Sequence, residues 1–135
     1  MAEQSDTRKK KINSADKTKE MTPEIQGPVL DKATAMDHVG GDADLLKELA
    51  GLFIEEYPQL MTELQAAVAA GDAGRIERTA HGLKGAVANF GARQAVEVAL
   101  QMEQLGKKGN LEPVADLLRA LDLVLMALHG ELVRL

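Results

Sequence analysis

The chain has 135 residues, enough for one domain with a core of its own. Apolar residues make up 45% but aromatics only 2%, and there is no cysteine, which excludes disulfides and thiolate metal sites and leaves a core of Leu, Val, Ile, Met and Ala. The net charge of −5 is uneven, with six Lys/Arg against five Asp/Glu in residues 1–29 and ten against sixteen in the rest, so a body this acidic is expected to be a poor nucleic-acid binder.

The segment before residue 29 is polar, lacks apolar periodicity and ends in Pro23 and the Gly27-Pro28 pair. Residues 1–28 are therefore read as a flexible arm or linker, and the run Arg8 to Lys11 within them as solvated charge. The opening MAEQSDTRKKK lacks the apolar stretch of a secretory signal. No apolar run reaches the roughly 18 to 20 residues of a membrane span. A soluble cytoplasmic protein without membrane contact is expected.

From residue 29 onward the periodicity is helical throughout. A short helix is expected over residues 29–39, stopped by Gly40-Gly41, and Asp42 reads as the N-cap of the next. That helix should run to Ala70 on a stripe of Leu45, Leu49, Leu52, Phe53, Leu60, Leu64 and Val68, with Pro58 kinking or interrupting it. Gly71-Asp72 repeats the stop and cap. A third helix is expected over residues 73–89, ending near Gly91, and a fourth over residues 92–105, before a turn at Gly106 to Asn110. The last should cover residues 111–133, with Pro113 in its first turn and a stripe of Val114, Leu117, Leu118, Leu121, Leu125, Leu128 and Leu132. Four amphipathic helices on short connections predict an all-α fold, an antiparallel up-down four-helix bundle with a short extra N-terminal helix. Such a bundle buries its own stripes, so a monomer is expected.

The third helix carries the chemistry. Ile76, Ala80, Leu83, Val87 and Phe90 recur at spacings of four, three, four and three, which places them within about 40° of one line. His81 then stands about 140° from that line, facing water, with Lys84 at about 80°, Ala88 at about 120° and Gly85 at about 180°. Gly82 and Gly85 each cost about 1 kcal/mol relative to alanine inside a helix. Packing within the domain does not explain an exposed Gly85, whereas close approach by a partner does. Geometry alone leaves a functional histidine and an ordinary surface histidine equally open.

The stretch Thr79-Ala80-His81-Gly82-Leu83-Lys84-Gly85-Ala86-Val87-Ala88-Asn89-Phe90-Gly91-Ala92 closely resembles the histidine phosphotransfer (HPt) family, whose motif reads His-x-Leu-Lys-Gly followed by Asn and Gly at the helix end. The resemblance spans roughly residues 30–112. Gly40-Gly41-Asp42 precedes a Leu-rich helix, Glu55-Glu56-Tyr57-Pro58 lies at its middle, and Ala70-Gly71-Asp72 opens the next. Met102-Glu103 and Gly109-Asn110-Leu111 match later positions. Two departures are mild: Ala86 and Val87 stand where the family often has small polar residues.

The resemblance implies that residues 29–135 form a histidine phosphotransfer domain, a phosphorelay intermediate. His81 would take a phosphoryl group from the aspartyl phosphate of one receiver domain and pass it to another. An ordinary imidazole has a pKa of about 6.5 and is a competent neutral nucleophile near pH 7. Lys84 would present an ammonium to the phosphoryl oxygens. Gly85, with Ala88, Arg78 and Gly82, would form the docking surface for the receiver, and Gln101 or Glu103 from the fourth helix would orient the imidazole. No metal or cofactor is expected on this chain; Mg2+ would sit on the receiver. His38 and His129 read as structural or solvated histidines.

A kinase with its own ATP site is disfavoured, since the chain has no GxxxxGK[ST] loop. The dimerisation helix of a sensor kinase usually follows its histidine with an acidic residue and soon a proline, whereas Gly82 follows here and no proline appears before Pro113. The phosphotransfer domain of a chemotaxis kinase is a closer relative, normally followed by further kinase domains. A free protein and the C-terminal module of a hybrid sensor kinase both stay open, as does an adaptor that only docks a partner and for which His81 is dispensable.

Overall fold

The computed structural model describes residues 27–135; the earlier part of the segment read as an arm lies outside the described residues. Five helices follow one another: α1 (Lys32–His38), α2 (Ala43–Ala70), α3 (Ala73–Ala88), α4 (Arg93–Lys108) and α5 (Val114–Leu132), with no strand among the described residues. Local chemistry sets their ends. The Asp42 carboxylate accepts from Leu45 N at 3.1 Å and the Asp72 carboxylate from Arg75 N at 3.2 Å, each satisfying a donor that the first helical turn leaves open. Gly71 and Gly91 take φ of 65° and 61°, a left-handed conformation that costs glycine nothing and lets the chain reverse.

The connections between α2, α3, α4 and α5 are short, so consecutive helices run antiparallel. α3 packs between α2 and α4, α5 packs between α4 and α2, and the two diagonal pairs are not neighbours, which closes a four-helix ring. Its interior is continuous: Phe53 and Leu64 of α2, Ile76, Leu83 and Val87 of α3, Met102 of α4, and Leu121, Leu125 and Leu128 of α5. Phe90 lies edge-on to Phe53 at 5.6 Å, an arrangement aromatic rings favour. Tyr57 stacks on Phe53 and faces His129 of α5 at 5.9 Å. All five residues of the expected α3 stripe are buried, and so is the expected α5 stripe except for half-buried Leu118.

Other details differ from the sequence reading. α2 buries Leu46, Ala50, Phe53, Met61, Leu64 and Ala67, while Leu45 and Leu52 are exposed. The inner face of α2 is turned by roughly one residue from the leucine stripe, because buried Ala50 and Ala67, which carry little hydrophobic signal in the sequence, lie on it. Pro58 does not interrupt α2. It lies on the exposed side, where the carbonyl it leaves without a helical donor can meet water, and Thr62 Oγ1 donates to its carbonyl at 3.0 Å. α1 starts later than expected, because the Asp31 carboxylate caps it by accepting from Thr34 N at 3.2 Å; His38 is its last residue. α5 begins at Val114, with Pro113 as N-cap rather than in the first turn.

Gly106 is the largest correction. It belongs to α4, not to the turn, and is buried; α4 continues to Lys108 and is closed by Gly109 at φ 75°. A Cβ on Gly106 would stand 2.8 Å from Glu77 N and 2.9 Å from Ala73 O. The glycine lets α4 touch the backbone of the first turns of α3. At the other end of the pair, Asp31 N donates to Phe90 O at 3.1 Å, seating α1 against the α3–α4 turn.

Candidate functional site

Periodicity turns His81 outward, and 67% of its side chain is exposed. α3 buries Ala80 and Leu83 on either side of it, so the backbone beneath the imidazole is fixed by the core while the ring meets solvent.

The neighbouring helix supplies a carboxylate. Buried Ala95, Ala99, Met102 and Gly106 are spaced four, three and four along α4, and their small size brings this face close to α3. Glu103, next to Met102, is thereby carried to the edge of the α3–α4 seam. Its Oε2 lies 2.9 Å from His81 Nδ1 and its Oε1 lies 2.7 Å from Lys84 Nζ. One carboxylate thus bridges two polar residues of α3, His81 and Lys84. With only 14% of its side chain exposed, burial alone would raise its pKa. The Lys84 ammonium donating to it outweighs that, with a smaller contribution from His81, so Glu103 is held below the ordinary carboxylate range.

An ionised carboxylate at Nδ1 favours the tautomer whose proton sits on Nδ1. The other nitrogen, Nε2, has no hydrogen-bond partner among the described residues. In that tautomer Nε2 keeps its lone pair, so the arrangement presents a neutral nitrogen nucleophile to solvent with a fixed ring orientation.

Gln101, the other residue considered for orienting the ring, is exposed and not bonded to His81. Two positions along a helix amount to about 200° of rotation, so only one of Gln101 and Glu103 can meet α3. Gly82 and Gly85 are exposed, and a Cβ at either would meet nothing within 4 Å. Nothing inside the domain requires glycine there. Ala88 is half-buried on the same face, and Arg78 is exposed one turn before His81.

A groove missed in the sequence runs along the other flank of α3. Arg75, Arg78, Thr79 and Gly82 form one wall, and Leu60 and Glu63 of α2 form the other. The spacing of 75, 78, 79 and 82 is that of a helix face, but its polar character concealed it beside the stronger apolar stripe. Among the described residues no cluster of three His, Asp or Glu side chains is arranged to hold a metal, and no helix is long and apolar enough to cross a membrane.

A family model described as Hpt domain matches residues 48–131, which takes in α3, α4 and most of α2 and α5. Among solved structures, the crystal structure of histidine-containing phosphotransfer protein B (HptB) from Pseudomonas aeruginosa is similar, with a TM-score of 0.75 and 23% sequence identity. The match covers 81% of this chain and 95% of that one, a likeness of fold. No curated protein sequence matches the chain.

Proposed function

The chain belongs to the Hpt domain family, and from that membership we propose that it is a phosphorelay intermediate carrying a phosphoryl group on Nε2 of His81 between receiver-domain aspartates. The observation that carries this reading is the exposed imidazole held through Nδ1 by Glu103, which leaves Nε2 as the free nitrogen.

In the acceptance step the Nε2 lone pair attacks phosphorus of the receiver's aspartyl phosphate. The N–P bond forms, the P–O bond to the aspartate breaks, and its electron pair leaves on the released carboxylate. Nδ1 keeps its proton, and the cationic phosphoimidazole that results is stabilised by ionised Glu103. Donation to a second receiver runs the same exchange backward, with an aspartate oxygen as nucleophile and the neutral imidazole as leaving group.

Lys84 is placed to move from Glu103 toward the phosphoryl oxygens once that group arrives, exchanging one anionic partner for another. Mg2+ would be held by the receiver and would stabilise charge on the transferring phosphoryl group. This chain contributes a nucleophile of set orientation and a docking face, and no ATP site of its own. The domain taken to act is residues 29–135, working as a single cytoplasmic copy.

The test is to mix the protein with a 32P-phosphorylated receiver domain and look for acid-labile, base-stable label on it. Label is expected on the wild type and none on His81→Gln. Because His81 lies outside the core, that variant should remain folded, which circular dichroism checks. Full label on folded His81→Gln would remove His81 as the carrier and favour a docking-only adaptor.

A further inference from the structure

The flank of α3 that faces away from Glu103 carries charge that nothing in the domain uses. Measured round α3 from its buried line, His81 lies at about 140°, Arg78 at about 200° and Arg75 at about 260°, so the cations continue the outer face from the histidine toward α2. Arg75 and Arg78 make no ion pair among the described residues, whereas Lys84 is engaged by Glu103. The Arg78 guanidinium lies back over Gly74, 3.2 Å from where a Cβ there would stand. Two arginines one turn apart, neither of them ion-paired among the described residues, thus stand beside the phosphoacceptor in a body with a surplus of acidic residues; the Asp72 carboxylate is also near, 3.8 Å from that same Cβ position.

Across the groove, half-buried Leu60 offers apolar surface, and Glu63 accepts from Gln59 Nε2 at 3.4 Å. The groove is therefore polarised, cationic on the α3 wall and anionic on the α2 wall. At Gly82 the α3 wall is bare backbone, leaving room for an incoming chain.

We propose that this groove selects the partner: it receives a receiver-domain segment that brings a carboxylate to Arg75 and Arg78 and an apolar side chain to Leu60. This rests on the phosphotransfer reading and adds the chemistry by which one receiver is preferred to another. Guanidinium forks match carboxylates, which makes arginine better suited than lysine to an oriented contact. Glu63 supplies the discrimination, since a segment docked in reverse would set its carboxylate against another. The groove lies beside the imidazole rather than at it, so it governs encounter and affinity, not the chemical step.

The test uses the full chain and a panel of isolated receiver domains phosphorylated with 32P-acetyl phosphate. For the receiver that labels the wild type best, Arg75→Glu/Arg78→Glu should raise the half-saturating receiver concentration about tenfold or more at low salt. The loss should fall on that concentration rather than on the rate at saturation, and should shrink at 0.5 M salt, where screening acts within about 4 Å. Arg119→Glu/Arg134→Glu, the same change of four charges placed on and just after α5, should leave the concentration dependence as it was. A folded Arg75→Glu/Arg78→Glu variant with wild-type concentration dependence overturns the proposal, and so does an equal loss in Arg119→Glu/Arg134→Glu. Absence of label on the wild type with every receiver would instead bring down the phosphotransfer reading on which it stands.

Discussion

Glu103 Oε2 stands 2.9 Å from His81 Nδ1 although 22 residues separate them in the chain. The contact is a product of helix packing. α4 approaches α3 through alanines and Gly106, and that closeness is what allows a carboxylate at the edge of the seam to reach an imidazole on the outer face of its neighbour.

If Glu103 sets the tautomer, its loss should be visible on the ring itself. In Glu103→Ala, the 15N chemical shifts of His81 should move from those of an Nδ1-protonated ring toward a mixture of tautomers. Phosphoryl acceptance should slow about tenfold or more, by analogy with the loss when a partner that orients a metal-bound histidine is removed. Unchanged ring shifts in a slowed variant would show that the carboxylate acts in some way other than by placing the proton.

The same carboxylate links stability to pH. Lys84, more than His81, lowers the pKa of Glu103 from its ordinary 4.5, so the unfolded chain binds the proton more readily than the folded one. The stabilisation is complete above pH 4.5 and is lost as pH falls through the lower folded value. Denaturant titrations of wild type and Glu103→Gln should differ by a constant amount at neutral pH, and the gap should close only below pH 4.5. A gap that closes between pH 6 and 8 would point to another group. Asp31, also lowered by its bonds from Thr34, titrates in both proteins and cancels.

Gly85 separates stability from function. A Cβ there meets nothing, so Gly85→Ala should stabilise α3 by up to about 1 kcal/mol, read from urea midpoints. Gly85→Leu should also fold but slow transfer, because its side chain would stand where the receiver must come close to the imidazole. Transfer at the wild-type rate in Gly85→Leu would leave that exposed glycine without a role in docking.

Gly106 should behave in the opposite way. Gly106→Ala places a methyl 2.8 Å from Glu77 N and 2.9 Å from Ala73 O, both backbone atoms that can give way only if the helices part. A loss of about 1 to 3 kcal/mol is expected, with slower transfer as Glu103 retreats from His81. Equal stability of Gly106→Ala and wild type would mean that the α3–α4 seam is looser than these distances require.

The outward placement of His81 was legible from α3 alone. Five apolar residues spaced by fours and threes set the rotation of that helix, and a helix's own period then settles which residues face water. Asp42 and Asp72 were equally readable as caps, since capping involves only residues three apart. Reading α2 by its leucines missed the alanines that line its inner face. Gly106 resembled a turn because a buried helical glycine and a loop glycine are identical without the neighbouring helix.

Only the tertiary structure chose Glu103 over Gln101, and only it joined Arg75 and Arg78 to Leu60 in one groove. The physical reason is one of range. Helical period and capping are short-range and are encoded within one segment, so one segment suffices to read them. Which polar residue of α4 meets which of α3 depends on the separation and mutual rotation of two helices, and these are decided by all the small side chains along the seam at once.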